Sequence, residues 1–378
     1  MKKIVYVVGG LLSHTGMSTI LSRKINWLAD HTDYDLHMIL TEKPYVKWCY
    51  DINPKVKWVN FDINFDELDT MPMYKKIFYY WLKQIKYKRL FTQYLMELRP
   101  DITVSALRRE INFINNIQDG SKKIGEIHFE RTFYRNFNSS HLPSFLNKMI
   151  SNYWMGGLIK NLKRLDRFVI LTHEDYGRWP ELDNKIVIPN SIPEYHGELA
   201  KLVSKSAIAV GRYTWQKGFD LLIEAWDIVV KKHPDWILNV YGTGEKDIYQ
   251  KMIKAKGLTN NINCHDAVSN IYEKYIENSF FVFSSRYEGF GLVLAEAMST
   301  GLPAVSFACP SGPSDIITNE KDGLLIENGN ITKLADGICE LIENCETRKY
   351  LGLNARKKAM KFYPDEVMKQ WLDLFDSL

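Results

Sequence analysis

Two carboxylates spaced eight residues apart, Glu288 and Glu296, carry the clearest chemical signal in the sequence. They lie in Ser284-Ser285-Arg286-Tyr287-Glu288-Gly289-Phe290-Gly291-Leu292-Val293-Leu294-Ala295-Glu296-Ala297. An apolar strand ends at the serines, a glycine-rich turn follows, and a helix then runs to Thr300-Gly301, where Gly301 and Pro303 stop it. Glu288 thus stands at the carboxyl end of a strand, where open α/β sheets bind ligands, and Glu296 about two turns into the helix. Such a pair can grip hydroxyls at two points of an extended polar ligand. The turn's N–H groups and the helix dipole favour phosphate between them. The bland alternative is two solvated charges on a surface helix. Glu296 argues against it, because it is embedded in Leu292-Val293-Leu294-Ala295 and followed by Ala297-Met298. A carboxylate in an apolar stretch is as a rule paired or functional.

The second constellation is Val210-Gly211-Arg212-Tyr213-Thr214-Trp215-Gln216-Lys217-Gly218-Phe219-Asp220. Arg212 offers a planar fork and Lys217 a compact charge, and both suit a diphosphate. At a strand's carboxyl end such cations stabilise the charge on a departing nucleoside diphosphate. Alone, Arg-x4-Lys would describe a solvated loop; beside the carboxylate pair it becomes a candidate anion site. A third candidate is His128, which follows Ile124–Ile127 at a predicted strand end. A fourth is the loop from Gly10 to Gly16, which feeds a helix N-terminus at Gly16-Met17-Ser18 and can hold an anion.

These residues need a scaffold, and the pattern of short apolar runs alternating with helix-length segments supplies one. It predicts an α/β protein with parallel sheets covered by helices. In the first half, strands are expected at 4–8, 35–40, 102–105, 124–128, 167–171 and 185–188. In the second half they are expected at 207–210, 236–241, 261–265, 280–284, 303–306 and 323–326. Two successive series, each with its own glycine-bearing first loop, imply two doubly wound Rossmann-like domains, at 1–190 and 205–363. The break falls at Pro189-Asn190-Ser191-Ile192-Pro193, followed by the polar 194–205 segment. A terminal helix over 364–378, with Val367, Trp371, Leu372 and Phe375 on one face, packs on its own domain or returns to the first.

The 378 residues suit two domains, since single cores stop growing at roughly 250–300 residues. A formal charge of +4 is slight for this size and does not by itself argue for nucleic acid. The five cysteines (Cys49, Cys264, Cys309, Cys339, Cys345) show no metal-finger spacing and read as reduced thiols of a cytoplasmic protein. Met1-Lys2-Lys3 followed by Ile4 to Val8 is too short for a signal peptide and reads as a buried first strand. No apolar stretch reaches the 18 or so residues a spanning helix needs. Gly9, Gly10 and Gly16 do not fit the dinucleotide fingerprint, and there is no Walker lysine motif, which disfavours an NAD-dependent oxidoreductase. Asp33-Tyr34-Asp35 has the form of a metal–nucleotide motif but sits where a helix-to-strand turn is expected.

The combined motifs resemble a known family. The Glu288/Glu296 spacing, GRYTWQKGFDLLIEAW, SSRYEGFGLVLAEAMSTGLPAVSF and SGPSDIITNEKDGLLIENGN are similar to the retaining GT-B glycosyltransferases of family GT4. These include bacterial capsular, O-antigen and exopolysaccharide enzymes. The similarity is nearly continuous from Lys185 to Asn330. In the first domain it is confined to the Gly9–Gly16 loop, KIGEIHFE and VILTHEDYGRW. The resemblance implies two Rossmann-like domains facing a cleft and a nucleotide-sugar donor, with uridine the expected base. It implies that Arg212 and Lys217 hold the diphosphate, and that Glu288, Gly289, Phe290, Gly291 and Leu292 meet sugar and phosphates. Glu296 would bind the ribose, His265–Val268 would face the base, Gly10 and Gly16 would bound the donor-side loop, and His128 would meet the reacting sugar. Asp266 stands where the family commonly has glycine, and the Gly10–Gly16 loop is longer than its compact version.

With cations to assist departure, no metal or other cofactor is expected. No nucleophilic carboxylate is evident, so a front-face substitution is the expected route to retention. A sugar-nucleotide epimerase or a phosphorylase shares the fold, and an inert nucleotide-sugar-binding protein would share the pocket; the intact Arg212, Lys217, Glu288 and Glu296 set disfavours the last. The acceptor is expected to be a saccharide, free or polyprenyl-diphosphate-linked. Residues 73–96 hold six basic residues, no acidic one and a cluster of aromatics, with Ile77, Trp81 and Ile85 on one helical stripe. Such a helix suits the anionic inner face of the cytoplasmic membrane, or else is a domain helix with a solvated basic face.

Overall fold

The computed structural model describes residues 1–10, 16–42, 51–131 and 143–378. Contacts divide the chain into two compact units. One comprises Met1–Leu171, Tyr176–Ile188 and Met368–Leu378; the other comprises Thr172–Asp175 and Pro189–Val367.

In the first unit, strands β1 (Lys3–Val7), β2 (Asp35–Leu40), β3 (Lys57–Asn60), β4 (Ile102–Ser105), β5 (Lys122–Glu126), β6 (Arg167–Ile170) and β7 (Lys185–Val187) form one parallel sheet. Its order is β3-β2-β1-β4-β5-β6-β7. Ile4, Val5, Tyr6 and Val7 are all buried, as expected of a strand covered on both faces. The sequence pattern did not predict β3. Its four residues, Lys57-Trp58-Val59-Asn60, are exposed or half-buried at the sheet edge, so the apolar run that marks a buried strand is absent. The helices are α1 (Gly16–His31), α2 (Met73–Leu98), α3 (Ser144–Leu162) and α4 (His173–Gly177). Asp33 and Tyr34 fall between α1 and β2, and Asp35, which opens β2, binds Lys57 (2.7 Å) and His37 (3.1 Å).

The second unit repeats the plan. Its strands are β8 (Ser206–Val210), β9 (Ile237–Gly242), β10 (Ile262–Asp266), β11 (Phe280–Phe283), β12 (Ala304–Phe307) and β13 (Leu324–Ile326), in the parallel order β10-β9-β8-β11-β12-β13. Helices α5 (Phe219–Lys232), α6 (Lys246–Ala255), α7 (Ile271–Ile276), α8 (Leu292–Ser299), α9 (Pro313–Ile316), α10 (Ile331–Glu343) and α11 (Cys345–Ala359) join them. In α5, Phe219, Leu222, Ile223, Trp226 and Val229 recur at helical spacing and enter one core with Leu238, Val240 and Phe280.

The last helix, α12 (Pro364–Asp376), ends within the first unit. There Phe375 meets the edge of Tyr34, and Lys2 donates to the Phe375 carbonyl (2.6 Å) and to Asp376 (2.8 Å). Residues 73–96 form most of α2, and their aromatic cluster is divided between core and surface. Tyr87, Phe91 and Leu95, four residues apart, are buried in the first unit's core, whereas Tyr74, Ile77, Phe78, Trp81 and Ile85 are exposed. Among the described residues no helix is long and apolar enough to cross a membrane. Cys264, Cys309, Cys339 and Cys345 are free thiols; Cys49 lies outside the described residues.

Candidate active site

In each sheet the strand order reverses once, between β1 and β4 in the first unit and between β8 and β11 in the second. Loops leaving the carboxyl ends of strands diverge at such a point and open a crevice for ligands. Of the predicted site residues of the second unit, those in the loops after β8 and β11 gather there, whereas His265 and Val268 belong to the edge strand β10 and the loop beyond it. Arg212 and Lys217 follow β8, Glu288–Leu292 follow β11, and Ser311-Gly312 follow β12.

Lys217 Nζ lies 2.7 Å from Glu288 Oε1, with both side chains largely buried. The sequence showed the two as separate motifs; the structure makes them one ion pair. Arg212 is exposed, and among the described residues its guanidinium shows no hydrogen bond or ion pair. Glu296 is half-buried on α8 and lies close enough to Tyr275 for its charge to help raise that phenol's pKa, after burial itself. Gly291, at φ +101, is the N-cap of α8, so Leu292 and Val293 open a helix whose first N–H groups lack intrahelical acceptors. Glu288, Gly289, Phe290, Gly291 and Leu292 therefore bend around a point where an anion meets amide dipoles and one ammonium.

The loop before α5 is locked to the end of β11. Arg286 N–H donates to the Gln216 carbonyl (2.8 Å), Gln216 Nε2 to the Tyr287 carbonyl (3.0 Å), and Ser284 Oγ to the Lys217 carbonyl (2.9 Å). Arg286 also forks onto Asp220 at 2.8 and 2.5 Å, with its guanidinium 4.6 Å over the Trp215 ring. Burial alone would raise the Asp220 pKa, but the hydrogen bonds and charge of Arg286 more than offset it and hold the carboxylate below its ordinary value. Sequence reasoning missed this brace, although both residues sit inside the two motifs it singled out.

His265 and Val268 are placed differently from one another. The His265 ring stacks on Tyr241 (4.4 Å between centroids), and its Nε2 lies 3.2 Å from Asn239 Oδ1. The imidazole is thus engaged on the sheet, and its carbonyl accepts from Tyr213 Oη at 2.8 Å. Asp266 pairs with Lys246 (2.7 Å), while Val268, in the loop beyond, is exposed.

In the first unit, Gly10 accepts from Ser18 Oγ (3.5 Å) and Gly16 opens α1; residues 11–15 between them lie outside the described residues. His128 lies two residues past β5, with its side chain buried. Its Nε2 is 3.5 Å from Glu126 Oε1, and neither ring nitrogen has a hydrogen-bond partner among the described residues. Burial lowers the His128 pKa from 6.5 to about 4, opposed by Glu126 and reinforced by Lys24 and Arg108. The imidazole is therefore neutral at neutral pH. Leaving buried polar atoms unsatisfied costs on the order of 1–3 kcal/mol each.

Residues 192–358 match the model of the family described as glycosyl transferases group 1. The match covers most of the second unit, which is thus similar to that family. An uncharacterized glycosyltransferase of Haemophilus influenzae is 31% identical over 213 residues, which cover 54% of this chain and 60% of that protein. The poly(ribitol-phosphate) alpha-N-acetylglucosaminyltransferase of Staphylococcus aureus is 30% identical over 268 residues, covering 70% and 52%. The chain thus spans less than two thirds of the length of these two curated relatives. Among solved structures, a mutant S. aureus TarM in complex with fondaparinux, alpha-GlcNAc-glycerol and UDP superposes with a TM-score of 0.76 at 20% identity, covering 99% of this chain and 100% of that one. Anabaena HepE in complex with UDP gives 0.74 at 15% identity, covering 100% of each chain. At these identities the likeness establishes the fold, which is GT-B, two Rossmann-like domains as the residues imply.

Proposed function

We propose that this protein is a group 1 glycosyl transferase that moves a sugar, with retention of anomeric configuration, from a UDP-sugar to a saccharide acceptor in cell-surface polysaccharide synthesis. The observation that carries the proposal is the Lys217–Glu288 pair at the point where the second sheet reverses, flanked by the first turn of α8. A diphosphate entering there meets Lys217, the unengaged guanidinium of Arg212 and the N-terminal amides of α8. Glu288 is left to a sugar hydroxyl and Glu296 to the ribose. UDP in the TarM and HepE complexes supports the choice of base.

In this reading the bond between the sugar's anomeric carbon and the β-phosphate oxygen breaks as the acceptor oxygen bonds to the same face. The acceptor's hydroxyl proton passes to a phosphate oxygen of the departing UDP. Lys217 and Arg212 take up the charge on that group, so the step needs no metal. His128, uncharged, hydrogen-bonds the reacting sugar. The first unit holds a cavity of about 260 Å³ at its own reversal point, lined among others by Thr41, Glu42, Asp66, Arg108 and Arg109. Carboxylates and guanidinium groups together suit a polyhydroxylated acceptor, and we assign the acceptor to it.

Calorimetric titration with UDP, GDP, ADP and a panel of UDP-sugars in EDTA tests the reading. UDP is expected to bind without metal, and Glu296→Ala to weaken it by about 1–3 kcal/mol, the cost of removing a charged hydrogen-bond partner. Failure of every nucleotide to bind would make the carboxylate motif structural and end the proposal.

The acceptor is lipid-linked in this reading, and the exposed half of α2 is what brings the enzyme to it. Tyr74, Ile77, Phe78, Trp81 and Ile85 are exposed beside Lys75 and Lys76, the mixture of aromatic and basic residues that lies on an anionic bilayer. Vesicles rich in anionic lipid are expected to retain the protein at low salt and release it at high salt. Equal recovery on neutral vesicles would exclude that role for α2.

A further inference from the structure

The first unit buries a charged cluster that the transfer reaction does not itself require. Lys24, on α1, forms an ion pair with Glu126 Oε1 at the end of β5, and both side chains are almost wholly enclosed. The Lys24 ammonium also lies 3.7 Å over the ring of Trp371 on α12, which closes the cluster from water. His128 Nε2 stands 3.5 Å from the same Glu126 oxygen. Glu126 Oε2, both His128 nitrogens and Tyr6 Oη on β1 have no hydrogen-bond partner among the described residues.

A buried ion pair is a poor stabilising device, since packed apolar side chains of the same volume do as well or better. This one also leaves half of its carboxylate unused. Its placement explains it differently. A lone carboxylate at 3.5 Å would draw a proton onto His128; an ammonium locked to that carboxylate cancels the pull. We propose that Lys24 and Glu126 are positioning residues which act through His128, fixing its orientation and presenting it as an uncharged imidazole with one donor and one acceptor nitrogen. The charged groups facing His128 are Glu126 from β5, Lys24 from α1 and Arg108 from the loop after β4, with Tyr6 of β1 beside Glu126. Arg108 is exposed, so Lys24 is the cation that decides the balance. Burial depresses the basicity of Lys24, and the charge and hydrogen bond of Glu126 offset part of that loss.

The charge state of His128 can be measured without any activity, and only the catalytic consequence rests on the transferase reading. Histidine-labelled full-length protein is titrated by NMR from pH 4 to 8, with the His128 resonance assigned by its loss in His128→Gln. In Lys24→Met the His128 midpoint is expected to rise by about one unit or more, the effect of an uncompensated carboxylate at this range. In the double variant Lys24→Met/Glu126→Gln it is expected to return toward the wild-type value of about 4, because both charges are gone. A stability defect alone would not reverse in this way. Should Lys24→Met fail to fold by circular dichroism, Lys24→Gln carries the same expectation.

An unmoved His128 midpoint in the folded single variant, or no return in the double, overturns the proposal. In transfer assays Lys24→Met is expected to lose activity on the acid side at a higher pH than wild type, with kcat falling more than KM rises. A midpoint that rises without any change in the pH profile refutes the positioning role and leaves the transferase reading intact. Absence of transfer by wild-type protein, with the NMR shifts as expected, refutes the transferase reading and leaves the charge assignment standing.

Discussion

Lys217→Ala is expected to cut the transfer rate by about 10²–10³-fold while leaving the fold intact, the loss that follows removal of one preorganised donor to developing charge. Two effects act together. The leaving diphosphate loses the ammonium that meets it at the sheet's reversal point. Glu288 loses the partner 2.7 Å away that neutralises it in a mostly buried position. The second effect separates this residue from an ordinary phosphate-binding lysine. The unpaired carboxylate now repels the diphosphate, so UDP binding should weaken along with the chemical step. Lys217→Arg keeps the charge but not the compact head, and the gap it must fill is narrow. Gly211 lies so near the lysine stem that an added Cβ would come within 3.1 Å of it. Arginine is therefore expected to restore UDP affinity more than rate. Steady-state kinetics with UDP titration decides the point: wild-type rates in Lys217→Ala would remove Lys217 from the site.

Much of the candidate site in the second unit was legible because its residues are packed into short stretches. The Arg212–Lys217 loop and the Glu288–Glu296 turn each follow a strand whose residues are buried on both faces, and a continuous apolar run is what such strands look like in sequence. What stayed hidden depends on pairs far apart in the chain. Arg286 and Asp220 are 66 residues apart, and Lys24 and Glu126 are 102 apart. Nothing in the spacing of either pair announces the contact. Helix α2 shows a different limit. Ile77-Trp81-Ile85 and Tyr87-Phe91-Leu95 have the same periodicity, yet the second set is buried and the first exposed. Period identifies the helix and its faces, and only the neighbours that cover a face decide which one is core. Strand β3 was missed for the converse reason, since an exposed edge strand need not carry an apolar pattern at all.

Gly218→Ala is expected to abolish donor binding and destabilise the second unit by about 3–5 kcal/mol, a size reserved for backbone strain combined with a clash. Gly218 has φ +62, and a Cβ there would lie 2.1 Å from the Ser284 carbonyl oxygen. The obstacle is backbone, so no rotamer relieves it. Either the loop or the end of β11 must move, and the two are joined by the bonds from Ser284 Oγ to the Lys217 carbonyl and from Arg286 N–H to the Gln216 carbonyl. Breaking them displaces Lys217 from Glu288, so a methyl group is expected to disassemble the proposed anion site without touching its ligand. Gly329→Ala isolates the conformational part. Its φ is +78, but nothing lies within 4 Å of the added carbon, so it should cost about 1 kcal/mol and leave UDP binding unchanged. Thermal melts and UDP titrations of the two variants compare the terms directly. If Gly218→Ala melts with Gly329→Ala and still binds UDP, the close approach of loop and strand is not what holds Lys217 in place.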